Sequence, residues 1–117
     1  MIIIHQWEIQ IESLFLLLKI EINNFAQGDT AISYDEGKRC YELIKKSLQD
    51  KEKVFLDFAG INYVIMAFLN PVIGELIIEN GEDVMKKVEI ENANIDILKK
   101  IKMVQEGAFL KRTDLNE

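Results

Sequence analysis

The chain has 117 residues, of which 49% are hydrophobic and 29% are charged, as expected for one soluble globular domain. Its formal net charge of −6 argues against binding to nucleic acid, because proteins that bind the phosphate backbone normally carry a basic face. Cys40 is the only cysteine and His5 the only histidine, which excludes an intrachain disulfide and a multi-cysteine zinc site. We therefore expect no metal and no cofactor, and a cytoplasmic protein.

Residues 1–16 fit two patterns. Trp7, Ile9 and Ile11 alternate with polar residues, as in a half-buried strand. One helical stripe also fits, and its members are Ile4, Trp7, Ile11, Leu14, Phe15 and Leu18. The isoleucines favour the strand, so we expect an N-terminal extension or an extra strand. The apolar run at 14–18 is too short to span a bilayer, and we expect neither a signal peptide nor membrane association.

The next segments predict a β-hairpin. Residues 17–23 alternate between apolar and polar side chains, as a strand does, and residues 29–32 read as a short partner strand. Ser33 then fits the N-cap of a helix, with Glu36 completing a capping box. We interpret Ser33 as a cap rather than a phosphoacceptor. The helix has an inward stripe formed by Cys40, Tyr41, Ile44 and Leu48, which makes Cys40 a packing residue rather than a nucleophile.

Residues 53–80 predict a buried strand, a tight turn and a buried helix. The apolar run at 54–58 is typical of a strand in a parallel sheet, and Gly60 allows the chain to turn after it. From about Ala67 the apolar residues recur at helical spacing, with Pro71 expected in the first turn and a stop at 80–81. Asp57 ends the strand, and we interpret it as a carboxylate bonded to nearby backbone N–H groups rather than as a catalytic group.

The C-terminal part predicts one more strand and one more helix. Residues 87–91 alternate as a strand with one wet face does, nearer the edge of the sheet. The inner stripe of the following helix is formed by Ile97, Leu98, Ile101 and Val104. Gly107 is expected to end this helix, which makes 17–107 the domain and 108–117 a tail. The class is α/β, with a mixed sheet, an N-terminal hairpin and three helices.

Three stretches carry a family resemblance: GDTAISYDEGKRCYELI, VFLDFAGI and AFLNPVIGEL. In this order, and with VFLDFAGINYVIMAFLN at the centre, the chain resembles the STAS-like domains, which are relatives of the anti-sigma-factor antagonists. The resemblance covers residues 17–104. It implies a signalling module that works by protein contact, with a protein partner that is a histidine-kinase-like ATPase or an anti-sigma factor.

The chain departs from the resembled families at two positions. In the antagonists, a Ser or Thr at the start of the central helix is the phosphorylation switch, because an added phosphate can abolish docking. Here the matching residue is Ala67, which has no hydroxyl. Tyr34 stands where the resemblance leads us to expect an Arg. Thr30 and Ser33 are hydroxyls that could substitute for the missing phosphoacceptor, and nothing in the sequence favours either.

Functional sites in open α/β sheets gather beyond the carboxyl ends of the strands, and the start of the next helix adds free N–H groups. We therefore expect a non-enzymatic regulatory module that binds its partner near the turn after the central strand. The predicted partner-binding residues are Asp57, Gly60, Ile61, Asn62, Ala67 and Phe68. One alternative is a small enzyme that uses Asp57 together with Glu75 or Asn62. Another is a self-associating structural domain, in which the 87–91 strand or the N-terminal segment pairs across a homodimer.

Overall fold

The structure is a computed structural model, and it describes residues 19–50 and 53–115. The strands are β1 (Lys19–Glu21), β2 (Thr30–Ala31), β3 (Val54–Asp57), β4 (Tyr63–Val64) and β5 (Val88–Glu91). The helices are α1 (Tyr34–Asp50), α2 (Met66–Leu69), α3 (Glu75–Asn80) and α4 (Ile95–Leu115), with a π-helical segment at Asn70–Gly74. Short 3₁₀ helices lie at Ile22–Phe25 and Glu82–Lys87. The predicted α/β class is confirmed.

Within the described residues, the main sheet has three parallel strands in the order β1-β3-β5. Leu56 pairs with Ile20 on one side and with Ile90 on the other, so one face of the sheet is apolar. Ile20 and Leu56 are buried, whereas Glu89 on the opposite face is exposed. Among the described strands, β5 lies at the edge of this sheet, as the alternating pattern of residues 87–91 predicted.

The predicted N-terminal hairpin is wrong. Strand β1 pairs in parallel with β3, and β2 pairs in parallel with β4 in a separate two-stranded sheet. Residues 17–18 of the predicted strand lie outside the described residues, and the strand that is described, Lys19–Glu21, ends where the 3₁₀ helix begins at Ile22. Ile22 is fully buried in that helix. Its apolar side chain therefore packs into the core at the point where the chain changes direction, and it is not part of a strand.

Helix α1 begins with the predicted cap. The backbone N–H of Glu36 donates to Ser33 Oγ at 3.1 Å, which satisfies one of the free donors at the helix start. The reciprocal half of the capping box does not form as predicted, because Glu36 Oε1 is buried without a hydrogen-bond partner. The predicted inward stripe is confirmed, since Cys40, Tyr41 and Ile44 are buried.

Residues 66–80 form one central helical segment made of α2, the π-helical segment and α3. The sequence predicts Pro71 in the first turn of the helix, but Pro71 lies in the π-helical part. A proline has no N–H to donate within a helix, and a π turn is a known way for a helix to change its hydrogen-bond ladder. The predicted stop is confirmed: Gly81 has φ of +90° and its N–H donates to the Ile77 carbonyl at 2.7 Å.

Helix α4 continues to Leu115, so the predicted end at Gly107 is wrong, and so is the predicted tail for residues 108–115. Ala108 is buried and prolongs the inner stripe beyond the glycine. The Arg112 side chain also donates to the Ile78 carbonyl, which ties the last turns to the central helical segment. Leu98 was predicted on the inner stripe, but it faces outward and is 46% exposed.

The helices and the apolar face of the main sheet share one cluster of buried side chains. Among the described helices, none is both long enough and apolar enough to cross a membrane. The predicted extension at 1–16 lies outside the described residues.

Candidate functional site

Asp57 lies at the carboxyl end of β3 and is almost fully buried, with 7% of its surface exposed. Its Oδ1 accepts hydrogen bonds from the backbone N–H of Ala59 at 2.9 Å and from the side chain of Asn92 at 2.8 Å. Its Oδ2 forms an ion pair with Lys19 Nζ at 3.3 Å. The carboxylate therefore links β3 to the first described residue of β1 and to the residue that follows β5, and its predicted bond to the nearby backbone is confirmed.

These contacts lower the pKa of Asp57 below its ordinary value. The hydrogen bond from Asn92 is the largest cause, and the bonds from Ala59 and Lys19 act in the same direction, while burial opposes them. The ion pair also raises the pKa of Lys19. Asp57 is thus held as an anion with both oxygens engaged, which suits a structural role better than that of a base.

The chain turns sharply after β3. The N–H of Ile61 donates to the Phe58 carbonyl at 3.0 Å, and Gly60 has φ of +79°, a conformation that L side chains rarely adopt. Asn62 follows, and its side chain donates to Asp29 Oδ2 at 2.9 Å. These bonds give the exposed turn a defined shape.

Tyr63 is the surface residue that sequence reasoning missed at this turn. It is 49% exposed, and Lys100 Nζ lies 4.3 Å from the centre of its ring, within the range of a cation–π contact. Lys100 also donates to the Val64 carbonyl at 2.8 Å and forms an ion pair with Asp96 at 3.0 Å. The sequence signal that could have identified Tyr63 is its alternation with Val64, which places the tyrosine on the solvent-exposed side of β4.

The structure divides the six predicted partner-binding residues into two sets. Gly60, Asn62 and Ala67 are exposed. Ile61 and Phe68 belong to the core, with 4% and 0% of their surfaces exposed, and Asp57 lies under the turn. The surface that a partner can reach is therefore formed by Gly60, Asn62, Tyr63 and Ala67, which we call the tip.

The residues considered as catalytic helpers for Asp57 are engaged elsewhere. Glu75 accepts hydrogen bonds from Tyr34 at 3.2 Å and from Lys38 at 2.7 Å, both on α1. Asn62 is bonded to Asp29. In the part of the chain that the structure describes, no three His, Cys, Asp or Glu side chains are placed to hold a metal ion.

Residues 36–98 match a family model described as a STAS-like domain of unknown function (DUF4325). The matched residues are more than half of the 117. The chain belongs to this family. No curated protein and no solved structure matches the chain significantly.

The match to the STAS-like family includes the turn, the tip and the central helical segment, and it extends into the first turn of α4. Thr30 and Ser33, the two hydroxyls considered as alternatives to a hydroxyl at Ala67, are already engaged in this STAS-like domain. Thr30 Oγ1 donates to the Gln27 carbonyl at 3.0 Å, and Ser33 Oγ caps α1.

Proposed function

We propose that this STAS-like domain is a non-enzymatic regulatory module that binds a protein partner through the tip. The observation that carries the proposal is the exposure of Ala67 in the first turn of the central helical segment, a few residues from exposed Asn62 and Tyr63. In the antagonists that the domain resembles, the corresponding position is the centre of the contact surface.

The chemistry of the tip suits a docking surface. Tyr63 offers a large ring with a polar hydroxyl, and tyrosine is enriched at the energetic centres of protein interfaces. Lys100 contacts the ring of Tyr63, and Asp29 accepts a hydrogen bond from Asn62, so both restrain the tip. A surface that is already ordered loses less conformational entropy when a partner binds.

Ala67 makes the proposed contact insensitive to phosphorylation at this position. A hydroxyl at the helix start would allow a kinase to add charge and abolish docking, but alanine offers no oxygen. The module would then bind its partner constitutively, under the control of its own abundance. The partner class suggested by the resemblance is a histidine-kinase-like ATPase or an anti-sigma factor, and the compartment is the cytoplasm.

The test is a comparison of two tagged variants in native cells, each with one added negative charge. Ala67→Glu places the charge at the centre of the tip, and Gln49→Glu places it on an exposed position of α1. After cross-linking and capture, the wild-type chain and Gln49→Glu are expected to recover the same ATPase or anti-sigma factor. Ala67→Glu is expected to lose it.

Titration of the purified protein with its purified partner then measures how much each substitution weakens binding. Titration calorimetry is expected to show binding by Ala67→Glu weakened at least about tenfold, which corresponds to about 1.4 kcal/mol. Tyr63→Ala is expected to weaken binding as well, while Gln49→Glu binds like the wild type. Equal binding by all the variants, or no partner of this class in any growth state, would refute the proposal.

A further inference from the structure

Helix α4 has apolar side chains on two faces. Its inner face packs into the core through Ile97, Ile101 and Val104, as expected for a surface helix. Nine large apolar side chains among the described residues are exposed, and five of them lie on the outer face of α4: Ile95, Leu98, Met103, Phe109 and Leu110. At 3.6 residues per turn these five fall within an arc of about 140°. A concentration of exposed apolar side chains on one face marks an interaction surface.

A groove of about 460 Å³ opens on this outer face. Its lining residues are Glu82, Lys102, Gln105, Glu106, Phe109 and Leu110. Phe109 and Leu110 are 45% and 64% exposed, so the groove has an apolar end that solvent reaches. The two acids of the lining, Glu82 and Glu106, outnumber its one base, Lys102. The occupant that suits this groove therefore brings an apolar side chain together with a positive charge.

The outer face of α4 itself carries this combination. Leu98 and Lys102 are four residues apart, which makes them neighbours on the surface of a helix, and both are exposed. A second copy of the helix can therefore bring an apolar side chain and a positive charge to the groove. Because each copy has both the groove and the side chains that suit it, two copies can satisfy each other in one closed, two-fold contact.

The spacing along α4 fits an antiparallel pair of helices with a two-fold axis at the level of residue 104. Lys102 and Glu106 lie two residues to either side of that level, so each faces the other residue in the second copy. Phe109 lies five residues to one side and Leu98 six to the other, a mismatch of only about 1.5 Å along the helix. Phe109 and Leu98 also lie within about 20° of each other around the helix, so the two-fold axis brings them together on one flank.

The other side chains of the face agree with this register. Met103 lies one residue from the level of the axis, so it meets Met103 of the second copy. Leu110 lies opposite Lys99, whose methylene stem can cover it while the ammonium group stays in water. Asp96 is already paired with Lys100 of its own chain at 3.0 Å. The register therefore joins apolar side chains and opposite charges and sets no like charges of this face against each other.

We propose that two copies of this chain form an antiparallel homodimer through the outer faces of α4. Phe109 of each copy packs on Leu98 of the other, and Lys102 of each copy pairs with Glu106 of the other. A single pair of helices buries less than the roughly 1,600 Å² of a standard interface, so the expected Kd is about 1–100 μM. None of the paired residues belongs to the tip, so this proposal is independent of the proposed function, and Ala67→Glu is expected to leave the dimer intact.

Sedimentation velocity of the full-length protein measures the mass in solution. The wild type is expected to change from monomer to dimer as its concentration rises from about 1 to about 500 μM. Leu98→Glu is expected to weaken this dimer at least about tenfold, because it sets a charge against Phe109 and adds to the acids of the groove. Leu43→Glu is the matched control, since Leu43 is 41% exposed on α1 and lies outside the groove. It adds the same charge and is expected to leave the dimer unchanged.

A charge exchange tests the register. Lys102→Glu and Glu106→Lys alone are each expected to weaken the dimer at least about tenfold, because two ion pairs become two pairs of like charge. A one-to-one mixture of these two variants restores both ion pairs between unlike copies, and it is expected to dimerise like the wild type. Circular dichroism of each variant shows whether the fold is retained. Three results would overturn the proposal. They are a wild type that stays monomeric up to about 500 μM, a dimer that Leu98→Glu leaves unchanged, which would assign self-association to another face, and a mixture that is no more dimeric than its two components.

Discussion

The side-chain amide of Asn92 donates a hydrogen bond of 2.8 Å to Asp57, although the two residues are 35 positions apart in the sequence. Asp57 ends the central strand β3, and Asn92 directly follows the edge strand β5. Asn92 has φ of +57°, a conformation that asparagine tolerates better than most residues. The bond therefore fixes the carboxyl edge of the sheet, beneath the turn that leads to the tip.

The first prediction concerns the pH dependence of stability. The folded-state pKa of Asp57 lies below its unfolded value of about 3.9, so its contacts stabilise the fold fully above that value. This contribution is lost as the pH falls from about 5 through the folded pKa. Asn92→Gly removes the amide while allowing the positive φ. It is expected to lower the free energy of unfolding by about 1–3 kcal/mol at pH 7 and by less at pH 3. Urea unfolding at the two pH values measures the difference.

The matched background for that measurement is Asp57→Asn, which has no carboxylate to titrate. In this background, the effect of Asn92→Gly is expected to be the same at pH 7 and at pH 3. If Asn92→Gly in the wild-type background also had a pH-independent effect, the bond between the two residues would not be what lowers the pKa of Asp57.

The second prediction compares two helical glycines. A Cβ added at Gly37 would lie 2.3 Å from the Phe68 carbonyl oxygen and 2.7 Å from Pro71 Cγ, so α1 would have to move away from the central helical segment. Gly37→Ala is expected to destabilise the fold by about 1–3 kcal/mol. A Cβ at Gly107 would meet nothing within 4 Å, so Gly107→Ala is expected to stabilise it by up to about 1 kcal/mol.

Thermal unfolding followed by circular dichroism measures both changes. The pair controls for the general effect of replacing glycine by alanine in a helix, which has the same sign at both positions. A stabilising Gly37→Ala would mean that α1 and the central helical segment are not in the close contact described above.

Local rules predicted those parts of the fold that depend on neighbours in the sequence. The cap at Ser33 and the stop at Gly81 depend on a few adjacent residues, and both are confirmed. The buried strand ending at Asp57 was equally predictable, because a short apolar run that ends at a polar residue is typical of a buried strand. The bond from Ala59 to Asp57 follows the same local logic.

The errors lie where distant contacts decide the outcome. Residues 30–31 have the alternation of a hairpin partner, but β4 offers a parallel pairing that only the folded chain reveals. Gly107 resembles a helix stop, yet burial of Ala108 continues the helix past it. At the predicted site, Ile61 and Phe68 were placed by sequence position alone, and their burial comes from packing. The alternation of Tyr63 with Val64 indicated that Tyr63 is exposed, but its contact with Lys100, 37 residues away, appears only in the folded chain.

The third prediction concerns Cys40, which has no exposed surface and whose pKa is raised by burial to about 12. Only the thiolate attacks thiol reagents, and at pH 8 almost none of this side chain is ionised in the folded protein. Labelling with a chromogenic disulfide reagent is therefore expected to proceed only as fast as the chain opens, and rapidly in denaturant. Gly37→Ala should accelerate it by weakening the helix packing around α1, whereas Gly107→Ala should not. Fast labelling of the native wild-type protein would show that this side of α1 is open to solvent.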